Sequence, residues 1–402
     1  MASAQNVGRG FFPLDEELEL QPGKLTPKGR ERLVRLSSWM PFRPATELFE
    51  EFTGIRLSKI VSQRGTEAAG RVYEEMQSAE AQEILEKKPR PRAQPQKVQI
   101  SADGAMIPLL HGVWAEVRTV VVGEIEPAVK EKGDRAVHAR NLSYFSRKVS
   151  SQQFETLTLA EMHRRGVENA WTVAAVMDGA EWLQSFTDYH CPQAIRILDF
   201  PHAAEHISPI GDFLHGQHTP ESKTWLREHL HQLKHEGPDK LLAEFQKLQS
   251  QQPTAEVLSS NLAYLEKREG QMQYPAFQAQ GLPIGSGIVE SGNKLVVEAR
   301  LKGAGMHWAE HNVNPMLALR NIICSRRWQE DWSKVETRLR ARKKKSATPE
   351  PPRVLSGDEA LLLILKEKLT DVQSPAAKNS KPNPWCNFKH GKALFQRSSP
   401  KL

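Results

Sequence analysis

The sequence has 402 residues, 39% hydrophobic and 26% charged, which suits two or three globular domains with a real core. No apolar run approaches the roughly 20 residues that span a bilayer. Residues 1–6 lack the charged-then-apolar start of a secretory signal, and Cys191, Cys324 and Cys386 lie too far apart for a disulfide framework or a cysteine zinc site. These features argue against membrane and disulfide-stapled classes and predict a cytoplasmic protein, while a net charge of +7 favours polyanionic partners.

Residues 1–86 read as helical. Thr26-Pro27 is a start signal, with the hydroxyl as N-cap and proline in the first turn. A second helix is predicted from Pro44 to a stop at Gly54, burying Leu48, Phe49 and Phe52. Ser58 can then cap a polar, basic helix over 59–64. Helix, glycine turn and basic helix outline a helix-turn-helix, in which Lys59 and Arg64 would face DNA. An ordinary helical hairpin, the commoner motif, fits the same pattern. Pro89, Pro91 and Pro95 among basic residues mark 87–97 as a linker.

Residues 98–345 read as one α/β domain. Strands are predicted at 98–103, 114–125 and 141–149, then a helix through Phe154, Leu157 and Met162 to Gly166. A buried strand at 172–177, a helix at 181–190 and a strand at 195–200 follow, a mixed order with parallel later strands. From about 203 to 280 the signals are helical throughout: Trp225, Leu226, Leu230 and Leu233, then Leu241, Leu242, Phe245 and Leu248, then Val257, Leu258, Leu262 and Leu265. This is a helical insertion. Helical pattern resumes after Gly287 and runs through Leu317, Leu319 and Ile322 to the basic run at 338–345. Residues 346–402 read as a tail with one short helix around 359–368.

Acids that terminate apolar strands are the best candidates for chemistry, because α/β sheets place ligands in the crevice beyond the strand ends. Asp103 ends the first strand and precedes Gly104; Asp178 ends 173–177 and precedes Gly179. Asp199 ends 195–198 in the same way. For each, the plainer alternative is a helix N-cap, which Asp performs routinely. Glu290 sits in Pro283-Ile-Gly-Ser-Gly-Ile-Val-Glu-Ser-Gly-Asn-Lys294, where three glycines suggest backbone brought close to something and a helix opening at Ser286 or Gly287.

Met177-Asp-Gly-Ala-Glu-Trp182, Ile197-Leu-Asp-Phe-Pro-His-Ala-Ala-Glu-His206, and Pro283–Lys294 running into Val297-Glu-Ala-Arg-Leu-Lys-Gly-Ala-Gly-Met306 resemble the ISKra family of bacterial insertion-sequence transposases. Phe12-Pro-Leu-Asp15 and Asn383-Pro-Trp385 resemble it too, so the likeness covers almost the whole chain. The resemblance implies an RNase H-like catalytic domain, as in the Mutator-like transposases, with a helical insertion between the second and third acids. It implies Asp103, Asp178 and Glu290 as the catalytic, metal-holding acids of a DDE enzyme, with Asp199 and His202 as its Asp-x-x-His element. Two departures stand out. Family members commonly carry a cysteine-containing segment ahead of Pro-Leu-Asp, which leads us to expect an N-terminally short copy, and Cys386 follows Trp385 where a basic residue is expected.

On this reading the cofactor is Mg2+ or Mn2+, since two such ions about 3.5–4 Å apart can serve both ends of an in-line displacement at phosphorus. Partners would be the double-stranded DNA of element ends and target, bound by a homo-oligomer within the nucleoid. Arg338, Arg340, Arg342, Lys343, Lys344 and Lys345 would hold outer phosphates. A rival is a zinc peptidase, because His202-Ala-Ala-Glu-His206 matches the inverted zinc pattern with its histidines four apart. With 14 histidines in the chain such a match arises easily, and histidines packed near the sheet edge beside Asp199 or Glu205 explain the pair more simply. A DNA-binding transposase derivative without catalysis is the third possibility.

Overall fold

Thr26 opens the first helix, α1 (Pro27–Trp39), by accepting the Gly29 amide at 3.2 Å with Pro27 in the first turn. In the computed structural model, which describes residues 25–131 and 134–347, α2 follows at Phe42–Thr53 and stops at Gly54 in the left-handed region, φ 69°. Phe49 is buried as expected, Leu48 is half-buried, and Phe52 is 75% exposed, against expectation. It lies on the same helical stripe as Ala45 and Phe49, but in the last turn before Gly54. Ser58 caps α3 through the Val61 amide. That helix does not end near residue 64; it continues to Lys87, because no glycine cap or proline interrupts it before Lys88 turns left-handed. Its later turns bury Val72 and Tyr73 in the main core, and a Cβ at Gly70 would collide with the Pro315 carbonyl.

The sheet is mixed and five-stranded, with its strands side by side in the order Ala139–Arg147, Trp114–Ile125, Lys97–Pro108, Thr172–Met177 and Ile195–Leu198. Strand β1 (Lys97–Pro108) pairs antiparallel with β2 (Trp114–Ile125), and β2 with β5 (Ala139–Arg147) across a bulge between Val122 and Glu124. A small hairpin, β3 (Val129–Glu131) and β4 (Asp134–Ala136), stands apart. Helix α4 (Ser151–Arg165) leads to β6 (Thr172–Met177), which lies parallel to β1; α5 (Glu181–His190) leads to β7 (Ile195–Leu198), parallel to β6. Valine-rich β2 is buried on both faces, with Val117 and Val121 in one core and Val120 and Val122 in another, because helices cover both sides of the sheet. One expectation fails here. Asp103 lies inside β1 rather than at its end, because Ala105 and Ile107 continue the inward alternation. Gly104 makes no turn; it leaves room for Glu116, which a Cβ would strike.

Beyond β7 the chain is helical: α6 (Phe200–His215), α7 (Pro220–Glu236), α8 (Asp239–Gln251), α9 (Glu256–Glu266) and the short α10 (Tyr274–Ala279). Gly237, at φ 91°, separates α7 from α8 where the sequence broke. These helices share one core with the sheet, since Leu241, Phe245, Leu258 and Leu265 cluster with Ala174, Val176 and Ile197. The next helix, α11, starts at Gly287–Gly292, widens into a π-helical stretch at Asn293–Glu298 and ends at Ala299–Leu301. Helices α12 (Glu310–Cys324) and α13 (Trp328–Ala347) close the fold.

One compact unit ends at Lys343 and a second begins at Lys344, of which 344–347 are described. The tail helix expected around 359–368, Phe12-Pro-Leu-Asp15 and Asn383-Pro-Trp385 lie outside the described residues. Among those described, no helix is long and apolar enough to cross a membrane.

Candidate active site

Strand register brings the acids together. Ile100 pairs with Ala175, so three residues further on Asp103 stands level with Asp178. Met177 pairs with Leu198, so Asp178 stands level with Asp199. All three acids thus occupy one level across β1 and the ends of β6 and β7. By strand alternation they share the face of Ser101, Val176 and Ile197, on which the helical insertion and α11 pack.

Each acid is held differently. Asp103 Oδ1 accepts its neighbour's amide, Gly104, at 2.6 Å, and Oδ2 accepts Asn293 Nδ2 at 3.0 Å. Burial pushes its carboxyl up to about 6, with the like charge of Asp178 adding to the rise against the pull of the Gly104 amide, His202 and Asn293. Asp178 Oδ1 accepts the Ala180 amide at 2.8 Å, fixing a turn ahead of α5 rather than capping the helix itself. Asp199 sits at the N-cap position of α6 without capping it. Its Oδ1 instead accepts the Ser286 amide at 2.6 Å, tying β7 to the glycine-rich segment. The residue is 1% exposed, and its Oδ2 has no hydrogen-bond donor among the described residues. Burial raises the Asp199 carboxyl, and Glu290 adds to the rise.

Glu290 projects from the first full turn of α11 and is exposed. The loop before that helix is anchored three times: by Asp199, by Gln99 Nε2 on the Gly285 carbonyl at 3.0 Å, and by the Phe200 amide on the Ile284 carbonyl at 3.0 Å. Gly292 lets the helix cross tightly over the sheet, since a Cβ there would sit 2.7 Å from Val121. Asn293, three residues beyond Glu290 and therefore on its side of the helix, reaches Asp103. Asn293 and Ser286 are site residues that the sequence reading passed over. The π-helical stretch that opens at Asn293 has no periodicity signal to announce it, though such widenings cluster at functional sites.

His202 lies between two carboxylates, with Nε2 3.8 Å from Asp199 Oδ2 and Nδ1 3.2 Å from Glu205. Burial alone would lower its pKa, but Glu205, Asp199 and Asp178 together carry it up to about 9, so the ring is charged at neutral pH. His206 is engaged elsewhere. It stacks on Tyr264 at 3.5 Å and meets Asn261 through Nδ1 at 2.9 Å.

Among the described residues no three His, Cys, Asp or Glu side chains are gathered as a ready cation site. The donors nonetheless suit a hard divalent cation. Two carboxylates stand level with like charges opposed, and buried oxygens of Asp199 and Asn293 lack donors. Of the basic candidates, Lys59, Arg64 and Arg338 are exposed. Arg340 pairs with Glu336 at 3.2 Å and Arg342 pairs with Glu75. The side chains of Lys343, Lys344 and Lys345 lie outside the described set. No family model matches the chain, and no curated protein matches it.

Proposed function

We propose that the chain is a DDE-type transposase that cuts and joins DNA at insertion-sequence ends, with Asp103, Asp178 and Glu290 as its metal-holding acids. The observation that carries the reading is the common level of Asp103 and Asp178 on neighbouring parallel strands. We read the sheet as RNase H-like: three antiparallel strands with the first acid on β1, then two parallel strands reached through helices. The helical insertion falls between Asp178 and Glu290 in sequence, which agrees with the resemblance to the ISKra transposases.

Mg2+ or Mn2+, when bound, would lower the pKa of water or of a DNA 3′-hydroxyl and stabilise the leaving oxygen. The chain's own groups prepare the place. Asn293 orients Asp103, the Ala180 amide orients Asp178, and the Ser286 amide locks Asp199. Charged His202 offsets part of the acids' mutual repulsion. Lys59, Arg64 and Arg338 are available for phosphates of duplex DNA, with α1 to α3 as the helix-turn-helix-like end-reading part. Strand transfer joins two DNA ends to a target, which suits a homo-oligomer assembled on DNA in the nucleoid.

The test uses purified protein and labelled duplexes drawn from DNA flanking the coding sequence, with Mg2+ or Mn2+ supplied or withheld. Cleavage should require the metal. Glu290→Gln should remove all detectable cleavage while folding and DNA binding stay at wild-type levels. Metal-dependent nicking at the wild-type rate in Glu290→Gln would sink the third-acid assignment. On the peptidase reading that change is silent and His202→Ala instead strips a bound zinc, which metal analysis of the purified protein detects. A silent derivative would bind DNA and cut nothing under any metal.

A further inference from the structure

We propose that the helical insertion positions the second acid, through Tyr264 and Arg268 gripping the Asp178–Gly179 turn. The inference rests on the reading of Asp178 as a metal-holding acid and deepens it. Tyr264 Oη donates to the Asp178 carbonyl at 3.1 Å, and Arg268 Nε donates to the Gly179 carbonyl at 3.0 Å, joined there by Nη2. Two successive carbonyls are therefore pinned by two side chains lying about one helical turn apart.

The second pin acts on the carboxylate through a single peptide unit. The Gly179 carbonyl and the Ala180 amide belong to the same planar group and point opposite ways. Holding the carbonyl toward Arg268 aims the N–H away from it, and that N–H is the one donating to Asp178 Oδ1 at 2.8 Å. Gly179 stands at φ 67°, and a Cβ there would strike Arg268 Nε and come within 2.8 Å of Tyr264 Oη. Only a glycine admits the grip.

The grip is itself rigid. Arg268 is 6% exposed, its Nη1 donates to the Tyr264 carbonyl at 3.1 Å, and its guanidinium lies 3.8 Å from the Tyr264 ring centroid. His206 stacks on that ring at 3.5 Å, and two planar groups so close to one ring must take opposite faces. The tyrosine is thus sandwiched between α6 and the residue just past α9. Leu258, Leu262 and Leu265 of α9 bind the base of the grip to the core that also holds Val176.

The experiment compares full-length wild type, Tyr264→Phe, Arg268→Met and Arg268→Lys. It measures Mn2+ binding by calorimetry on the protein–duplex complex, the Mn2+ concentration for half-maximal cleavage, and the Tm. Residues that orient metal-holding groups typically change metal affinity about 10–100-fold. Tyr264→Phe keeps the stacked ring and loses only the hydrogen bond; it should weaken Mn2+ binding and raise half-saturation together, at near wild-type Tm and DNA affinity. Arg268→Met should do so more strongly, with partial rescue by Arg268→Lys. Should Arg268→Met fail to fold, Tyr264→Phe decides alone. Wild-type Mn2+ binding in a folded Tyr264→Phe, with any activity loss matching a lower Tm, overturns the grip and leaves the nuclease reading standing. A wild type that neither binds Mn2+ nor cuts DNA overturns the nuclease reading first, and the grip with it.

Discussion

Asp103 carries a consequence for stability as well as for chemistry. Its carboxyl is pushed up to about 6 in the folded protein, against roughly 3.9 in an unfolded chain. Between about pH 4 and 6 the folded state binds this proton and the unfolded state does not, so metal-free stability falls as pH rises through that window. The penalty is complete above about pH 6 and is on the order of 3 kcal/mol. Asp103→Asn should therefore raise the Tm of metal-free protein at about pH 8, leave it near wild type at about pH 4, and abolish metal-dependent cleavage. A lower Tm at about pH 8 would mean that the hydrogen bonds from Gly104 and Asn293 outweigh the cost of the buried charge. For the wild type, Mn2+ affinity should drop below about pH 6, as protons compete for the same oxygen atoms.

At the scale of elements, the basic helix α13 no longer acts as one block of cations. All three arginines are exposed, but Arg340 and Arg342 already face Glu336 and Glu75, whereas Arg338 has no such ion pair among the described residues. Replacing Arg338 by Ala should flatten the slope of log affinity against log salt by about 0.9 if it contacts one phosphate. Replacing Arg340 or Arg342 should change the slope less, because each must first leave a carboxylate. Equal slopes for all three variants would show that the ion pairs open freely on DNA. A short continuous apolar run made β6 legible in advance and strong period-3.6 patterns did so for α5 and the insertion helices, since burial writes itself into the sequence. The end of β1 was misread because a glycine after an acid looks like a turn, and only the neighbouring strand shows it as room for Glu116. The three acids could be picked out singly, whereas their common level is a matter of pairing register, which one strand cannot encode. Asn293, Tyr264 and Arg268 act through contacts 86 to 190 residues away in sequence, as the Tyr264–Asp178 and Asn293–Asp103 bonds illustrate, and leave no local mark.

Across the whole molecule, the first helices and the last are parts of one core. Val34, Ala69, Val72 and Tyr73 pack with Val313, Leu317, Trp328 and Val335, and Tyr73 donates to Asp331 at 2.8 Å across 258 residues of chain. Truncation before Lys87 would thus strip the core as well as any DNA-reading surface, so end recognition is better probed by surface changes at Lys59 and Arg64. The same closure sets a clock on biosynthesis. At about 5–20 residues per second, those 258 residues take roughly 13–50 s to emerge after α3 has left the ribosome. Throughout that interval the apolar side of α3 waits for helices that do not yet exist. Chains released at residue 309, before α12, should keep α3 open to protease and to apolar dyes, whereas chains released at residue 347 should protect it. Equal protection in both would mean that α3 finds a different partner first.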